Sequence, residues 1–356
     1  MKQNFENGKW VGKMPKVELH RHLQGSIRTS TIIDIAHKHK VDLPEFAESR
    51  LDRYVKRRHP AKDLLEFLKP WTIFSRIIVN PEIASRITYE AIEDAASDNV
   101  EYLELRFSPY TMSNNRKIGT RELLEAIIAA TRDGEKHFPI VVKLLLGIVR
   151  MDPIKYNDYN LQILNVARDY PDFIVGFDLA GDEASFPPNL YEAFFKQVRE
   201  CGFKITVHAG EDAGPESVRE AVELLRADRI GHGISALNDP SVMQLLLHPP
   251  LRKRPIAVEI CPTSSFLTKT LSRNNIIPTI LQFLDYGVPL TIGSDSPQVC
   301  NTKLTDEFQW IFDSRSLTTL QMVSLFENAI EYSFASRQLK DQLRESLKNS
   351  IKKSKT

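Results

Sequence analysis

The sequence predicts a closed (β/α)8 barrel of the α/β class, one unit spanning residues 1–356, with a helical lid inserted after the first strand and helices at the C-terminal end. Three observations predict it. Short apolar, β-branched segments recur eight times, the stretches between them carry helix periodicity, and ionisable residues gather where those segments end.

In chain order the segments are Lys16 to His22, Val100 to Phe107, Val141 to Val149, Ile174 to Leu179, Lys204 to His208, Arg229 to Gly233, Ala257 to Cys261 and Leu290 to Ser294. After the first comes Lys40 to Val79, too long for a simple crossover, with the apolar helical stretch LLEFLKPWTIF inside it. It reads either as ordinary packing on the rim or as a lid, since loops after barrel strands lie at the face where active sites form. Further along, Val218, Ala221, Val222 and Leu225 are spaced to share one helix face after Pro215, and Asp239 with Pro240 forms an N-cap and first helical residue before Val242, Leu245 and Leu246. Strands alternating with helices imply a parallel sheet. Eight such units without a linker, low-complexity block or sequence repeat favour a barrel over the alternative, a doubly wound open sheet.

Composition excludes several classes of function. With 42% hydrophobic and 26% charged residues and only 15 glycines in 356, the chain can bury a substantial core. Its formal charge of +1 gives no electrostatic footprint for nucleic acid or a membrane surface, so a small-molecule partner is expected. The run Lys348 to Lys355 reads as a solvated helix end. Cys201, Cys261 and Cys300 are too scattered for a disulfide framework, which points to a reducing compartment. Because MKQNFENGKW lacks the apolar core of a signal peptide and no apolar run is long enough to span a bilayer, a cytoplasmic location is expected. Composition leaves the oligomeric state open.

The strand ends carry the chemistry. The first ends in HRH, the fourth in FDLAGDE, the fifth in VHAGED, the sixth in GHG and the eighth in GSD. In a barrel all of these meet at one mouth. His20 and His22, two apart on a strand, point to one side while Arg21 points to the other. Alone, such a pair is equally a pair of hydrogen-bonded core histidines. With His208, His232 and Asp295 from other strands it becomes a set of N and O donors that suits Zn²⁺, cysteine-free and of the catalytic type, and hence hydrolytic chemistry. Glu211, three residues after His208, faces either a substrate on the metal or a helix N-terminus; the flanking glycines of His232 leave it either a further ligand or a side chain aimed into the site.

In this order and at these spacings, VELHRHLQGS, GFDLAGDE, VHAGED, RIGHGI, EICPTSSFLT and GSDSP resemble the adenosine deaminase family of metal-dependent (β/α)8 barrels, from about Lys16 to Pro297. The resemblance implies that His20, His22, His208 and Asp295 hold a single Zn²⁺, a one-metal site because strand four offers Asp178 instead of a lysine. It implies hydrolytic loss of ammonia from a purine nucleoside or nucleotide, with Glu211 as the acid protonating a ring nitrogen, His232 orienting and stabilising the attacking water, and Asp295 taking its proton. His22, Asp178 and the backbone N–H of Gly181 fall at the substrate, and Leu64, Phe67, Leu68 and Trp71 align with the lid helix that covers it.

Two positions depart from the family pattern. Gln24 stands where adenosine-specific members carry an Asp that holds a ribose hydroxyl, and Ser296 stands where a second Asp bonds the imidazole ring of the purine. A neutral hydrogen bond contributes about 0.5 to 1.5 kcal/mol against about 1.5 to 3 for a charge-assisted one. The expected substrate is therefore adenosine or a derivative such as N6-methyl-AMP, a 5′-modified adenosine or an aminofutalosine-type nucleoside. A free base or other heterocycle, and a non-catalytic metal-binding relative, are the alternatives.

Overall fold

The computed structural model describes residues 9–113 and 117–353; the start of the N-terminal decapeptide and the end of the basic run, Ser354 and Lys355, lie outside them. Eight strands form one parallel sheet in sequence order: β1 (Lys16–His22), β2 (Val100–Phe107), β3 (Val141–Arg150), β4 (Ile174–Gly181), β5 (Lys204–Ala209), β6 (Arg229–His232), β7 (Ala257–Ile260) and β8 (Leu290–Ile292). All eight lie where the sequence places them, with ends shifted by a residue or two. Strands β3, β4 and β5 run further toward the mouth than expected. By contrast β6, β7 and β8 stop short; Gly233 (φ +66°) follows β6, and Asp295 (φ +57°), three residues past β8, is also left-handed.

Closure takes place beyond β8. Asp295 N–H donates to the His20 carbonyl at 2.9 Å and the Asp295 carbonyl accepts from His22 N–H at 2.7 Å, which joins the eighth segment to the first. The contact needs Gly293: a Cβ there would sit 2.6 Å from His20 Cβ. A sequence requirement for glycine, a barrel seam and the placement of Asp295 beside two histidines are thus one local arrangement.

Helices pack outside the sheet. Helix Pro215–Glu223 buries Val218, Ala221 and Val222 as its periodicity predicts, with Leu225 buried just beyond its end. Helix Pro240–Leu247 is capped by Asp239, whose side chain accepts from Ser241 N–H, and it buries Val242, Met243 and Leu246 while Leu245 is only half-buried. Helix Arg337–Lys353 carries most of the basic run on an otherwise solvated end. No helix among the described residues is long and apolar enough to cross a membrane, and Cys201, Cys261 and Cys300 are all free.

The insertion after β1 differs from expectation in one respect. LLEFLKPWTIF forms two short helices, Leu64–Phe67 and Trp71–Ile77, broken at Lys69 and Pro70. Proline has no N–H to continue the first helix and disfavours helical geometry in the residue before it. Asp63 caps the first helix by accepting from Glu66 N–H.

Candidate active site

The strands deliver four donor atoms to one point at the mouth. His22 Nε2 lies 3.2 Å from His208 Nε2 and 3.3 Å from Asp295 Oδ1, and His20 Nε2 lies 3.8 Å from the same carboxylate oxygen. His232 is close as well, since its ring, with those of His20 and His208, offers nitrogens within 4.8 Å of one another. Behind the donors, two carboxylates fix the imidazoles. Glu259 Oε2 is 2.7 Å from His20 Nδ1 and Asp178 Oδ1 is 3.1 Å from His208 Nδ1. An Nδ1–H donated to a carboxylate leaves the lone pair on Nε2, the tautomer a metal requires.

The residues fit a divalent metal. His20 Nε2 is fully buried and has no hydrogen-bond partner in the protein, a cost that a coordinated cation removes. Burial pushes His20 and His22 well below the usual imidazole range, so both are neutral ligands at pH 7. Glu259→Gln should therefore weaken Zn²⁺ binding by about 10- to 100-fold, measured by competition with a chromophoric chelator; unchanged affinity would remove Glu259 from this role.

Glu211 and His232 stand beside the donors. His232 Nε2 is 3.5 Å from Glu211 Oε2, and both residues line a cavity of about 220 Å³ that also reaches Asp295. Burial, reinforced by the Asp295 and Glu183 carboxylates, raises the Glu211 carboxyl well above the ordinary range, which favours its protonated form. His232 adopts φ +62°, a conformation uncommon for a non-glycine residue and found preferentially at functional sites. Asp178 touches the cavity, yet both its oxygens are engaged, Oδ1 by His208 and Oδ2 by Arg106 at 3.2 Å. Burial would raise its pKa, but His208 and Arg106 hold it well below the carboxylate range. It lines the cavity and at the same time orients His208 and Arg106.

The adenosine deaminase family model matches residues 15–350. The chain belongs to the adenosine deaminase family. An adenosine deaminase of Shewanella denitrificans is 35% identical over 323 residues, covering 91% of this chain and 95% of that protein. The N6-methyl-AMP deaminase of Arabidopsis thaliana, solved without ligand, superposes with a TM-score of 0.81 at 26% identity, over 96% of this chain and 98% of that one. An adenine deaminase of Arthrobacter aurescens shares the fold with a TM-score of 0.85 at 23% identity, over 95% and 99% of the two chains.

The two departures from the family pattern line the same cavity, as do Leu64, Phe67, Leu68 and Trp71 from the insertion and Gly181 from the end of β4. Gln24 is buried and donates its Nε2 to Thr111 Oγ1 at 2.7 Å, which leaves its carbonyl oxygen to offer a ligand. Ser296, also buried, donates its hydroxyl to Asp295 Oδ1 at 3.2 Å. The proton expected to read the purine is thus directed at a metal-ligand candidate.

Sequence reading missed the charges beneath the site. Arg106 Nη2 donates to Glu259 Oε2 at 2.8 Å, Arg229 Nε donates to Glu259 Oε1 at 2.5 Å, and Arg229 also pairs with Glu104. All four are essentially inaccessible to solvent. The two arginines pull Glu259 down to about 2 against the effect of its burial. Three carboxylates, Glu104, Asp178 and Glu259, face two guanidiniums, an excess of negative charge that a bound cation offsets. The available signal was the alternation of Glu104 and Arg106 in the largely apolar second half of the strand, which puts both on one face.

Proposed function

We propose that this member of the family is a zinc-dependent aminohydrolase, one (β/α)8 unit over residues 1–356 acting in the cytoplasm, that converts adenosine to inosine and ammonia. The observation that carries it is the meeting of His20, His22, His208 and Asp295 with the buried Glu211 carboxyl in one apolar-walled cavity. Three imidazoles and a carboxylate suit Zn²⁺ over harder cations. When bound, zinc supplies a water of lowered pKa, a nucleophile at neutral pH.

The chain's own groups do the rest. Glu211 holds the proton that goes to the ring nitrogen next to the carbon under attack, so negative charge does not build on the purine. His232 orients the attacking water, and Asp295, fixed by the seam hydrogen bonds, takes its proton. The carbon becomes tetrahedral, Asp295 passes the water's proton to the exocyclic nitrogen, the carbon–nitrogen bond breaks to release ammonia, and the proton left on the attacking oxygen returns to Glu211 as the carbonyl forms. The helices carrying Leu64, Phe67 and Trp71 cover the ligand and exclude water, which strengthens each of these interactions.

A free nucleoside is favoured over a nucleotide by the polar lining. Gln24, Ser108 and Thr111 are neutral, and the one guanidinium among the described lining residues, that of Arg106, is committed to Asp178 and Glu259. A phosphate there would lose its water without gaining a cation. N6-methyl-AMP, the substrate named for the Arabidopsis neighbour, is the second reading, favoured by the absence of a repelling carboxylate at Gln24. Ammonia release from adenosine, N6-methyl-AMP and adenine separates them. We expect adenosine to lead in kcat/KM by at least about tenfold, the equivalent of one poorly desolvated charge contact; preference for the nucleotide would overturn this order. Ser296→Asp should raise kcat/KM for adenosine by about tenfold by restoring a charge-assisted contact to the base, and an unchanged value would mean that position 296 does not read the purine.

A further inference from the structure

We propose that Glu183 is a positioning residue that holds the loop bearing Glu211 in its reactive conformation. This rests on the reading of Glu211 as the acid, and the observation behind it is separate from the metal site.

Glu183 lies in the turn after β4 and is 2% exposed. Its carboxylate accepts from four consecutive backbone N–H groups of the turn after β5. Oε1 takes Gly210 N–H at 2.5 Å, and Oε2 takes those of Glu211 at 3.0 Å, Asp212 at 2.9 Å and Ala213 at 3.2 Å. The Ser217 hydroxyl, in the first turn of helix Pro215–Glu223, donates to Oε1 as well. Successive N–H groups converging in a turn form a concave anion site of the kind that elsewhere binds phosphate. Here the chain fills that site with its own carboxylate, and no Lys or Arg pairs with Glu183 among the described residues.

The consequence is rigidity where the chemistry needs it. A side chain cannot be aimed if its own peptide plane rotates, and the Glu211 N–H is pinned together with those on both sides. Gly210 (φ +74°) completes the turn, since a Cβ there would meet Ser235 Oγ at 2.6 Å and Val218 Cγ2 at 2.7 Å. On the opposite edge the Gly210 carbonyl accepts from Ser235 N–H at 3.0 Å and the Glu211 carbonyl from Thr270 Oγ1 at 3.3 Å. Five donors on one buried carboxylate exceed what a simple cap of helix Pro215–Glu223 would require, because all four N–H groups precede that helix by two or more residues.

The test is Glu183→Gln in the full-length, zinc-loaded protein, compared with wild type and with Glu211→Gln. An amide has one acceptor oxygen and an NH2 group, so part of the N–H array would face a donor. The expected result is a fall in kcat of about 100-fold, the scale set by a misplacement of about 1 Å, with KM for adenosine and zinc content unchanged and faster hydrogen exchange at the amides of residues 210–213. Wild-type kcat in Glu183→Gln would overturn the proposal. Should that variant not fold, Ser217→Ala removes one donor of the five: about a fivefold loss of kcat supports the clamp and no loss overturns it. Full activity in Glu211→Gln would instead remove the acid role on which the proposal rests, whereas an inactive Glu211→Gln beside a fully active Glu183→Gln would overturn the clamp alone.

Discussion

Glu211→Gln keeps its metal and loses about 10³-fold in kcat, within the range for a positioned general acid. The side chain is nearly isosteric, lies outside the donor cluster and contacts His232, so the cavity keeps its shape; what disappears is the transferable proton. Two pH effects follow from the raised pKa of Glu211, which originates in burial and in the nearby Asp295 and Glu183 carboxylates. Catalysis needs the protonated acid, so wild-type kcat falls as pH rises through the folded-state pKa, and Glu211→Gln lacks that alkaline limb. Stability has the same sign. A carboxyl whose folded pKa lies above its unfolded value contributes fully below the unfolded value and loses that contribution as pH rises through the folded one. The melting temperature of Glu211→Gln relative to wild type should thus climb from acid to alkaline pH. Steady-state kinetics, metal analysis and thermal melts across pH check all three, and near-wild-type turnover would remove Glu211 as the acid.

Arg106→Met destabilises the metal-free protein by about 3–5 kcal/mol, the cost of leaving buried charges without their partner. Arg106 donates to Asp178, to Glu259 and to the Leu19 carbonyl, and its side chain is 1% exposed. Methionine restores the packing volume but leaves two carboxylates facing each other's field. Those carboxylates hold the Nδ1 atoms of His208 and His20, so the same substitution loosens two metal ligands from different strands at once. Chemical denaturation at pH 7 gives the stability, and chelator competition gives the metal affinity. A loss below about 1 kcal/mol would mean that the buried network contributes little to folding.

These outcomes draw on residues of unequal legibility. The eight strands could be read because a strand covered on both faces runs largely apolar, and in several of them ionisable residues follow where the strand reaches the mouth. That rule located His20, His22, His208, His232 and Asp295 at the mouth, where His20, His22 and Asp295 form one group of donor atoms and His20, His208 and His232 form another that shares His20 with it. It also explains what was missed. Glu104, Arg106, Arg229 and Glu259 sit inside strands, and which of them pair depends on strand neighbours that a single chain order does not reveal. Glu183 was hidden for a related reason, since its partners are backbone N–H groups of a turn about thirty residues away, and backbone donors have no letter in a sequence. At Asp178 and Ser296 the residue type was legible but its protein hydrogen-bond partners were not: the first is bonded to His208 and Arg106, the second to Asp295. The break in LLEFLKPWTIF belongs to a third kind, legible in Pro70 but outweighed by the apolar run around it.

The central claim is hydrolytic deamination at this mouth, with zinc and Glu211 together. It is tested most directly by incubating the zinc-loaded protein with adenosine and measuring inosine and ammonia, before and after removal of the metal with a chelator. Equimolar inosine and ammonia, loss of turnover on chelation and its return with Zn²⁺ are expected. Protein that holds about one zinc per chain yet releases no ammonia from adenosine or any other 6-aminopurine nucleoside or nucleotide would contradict it.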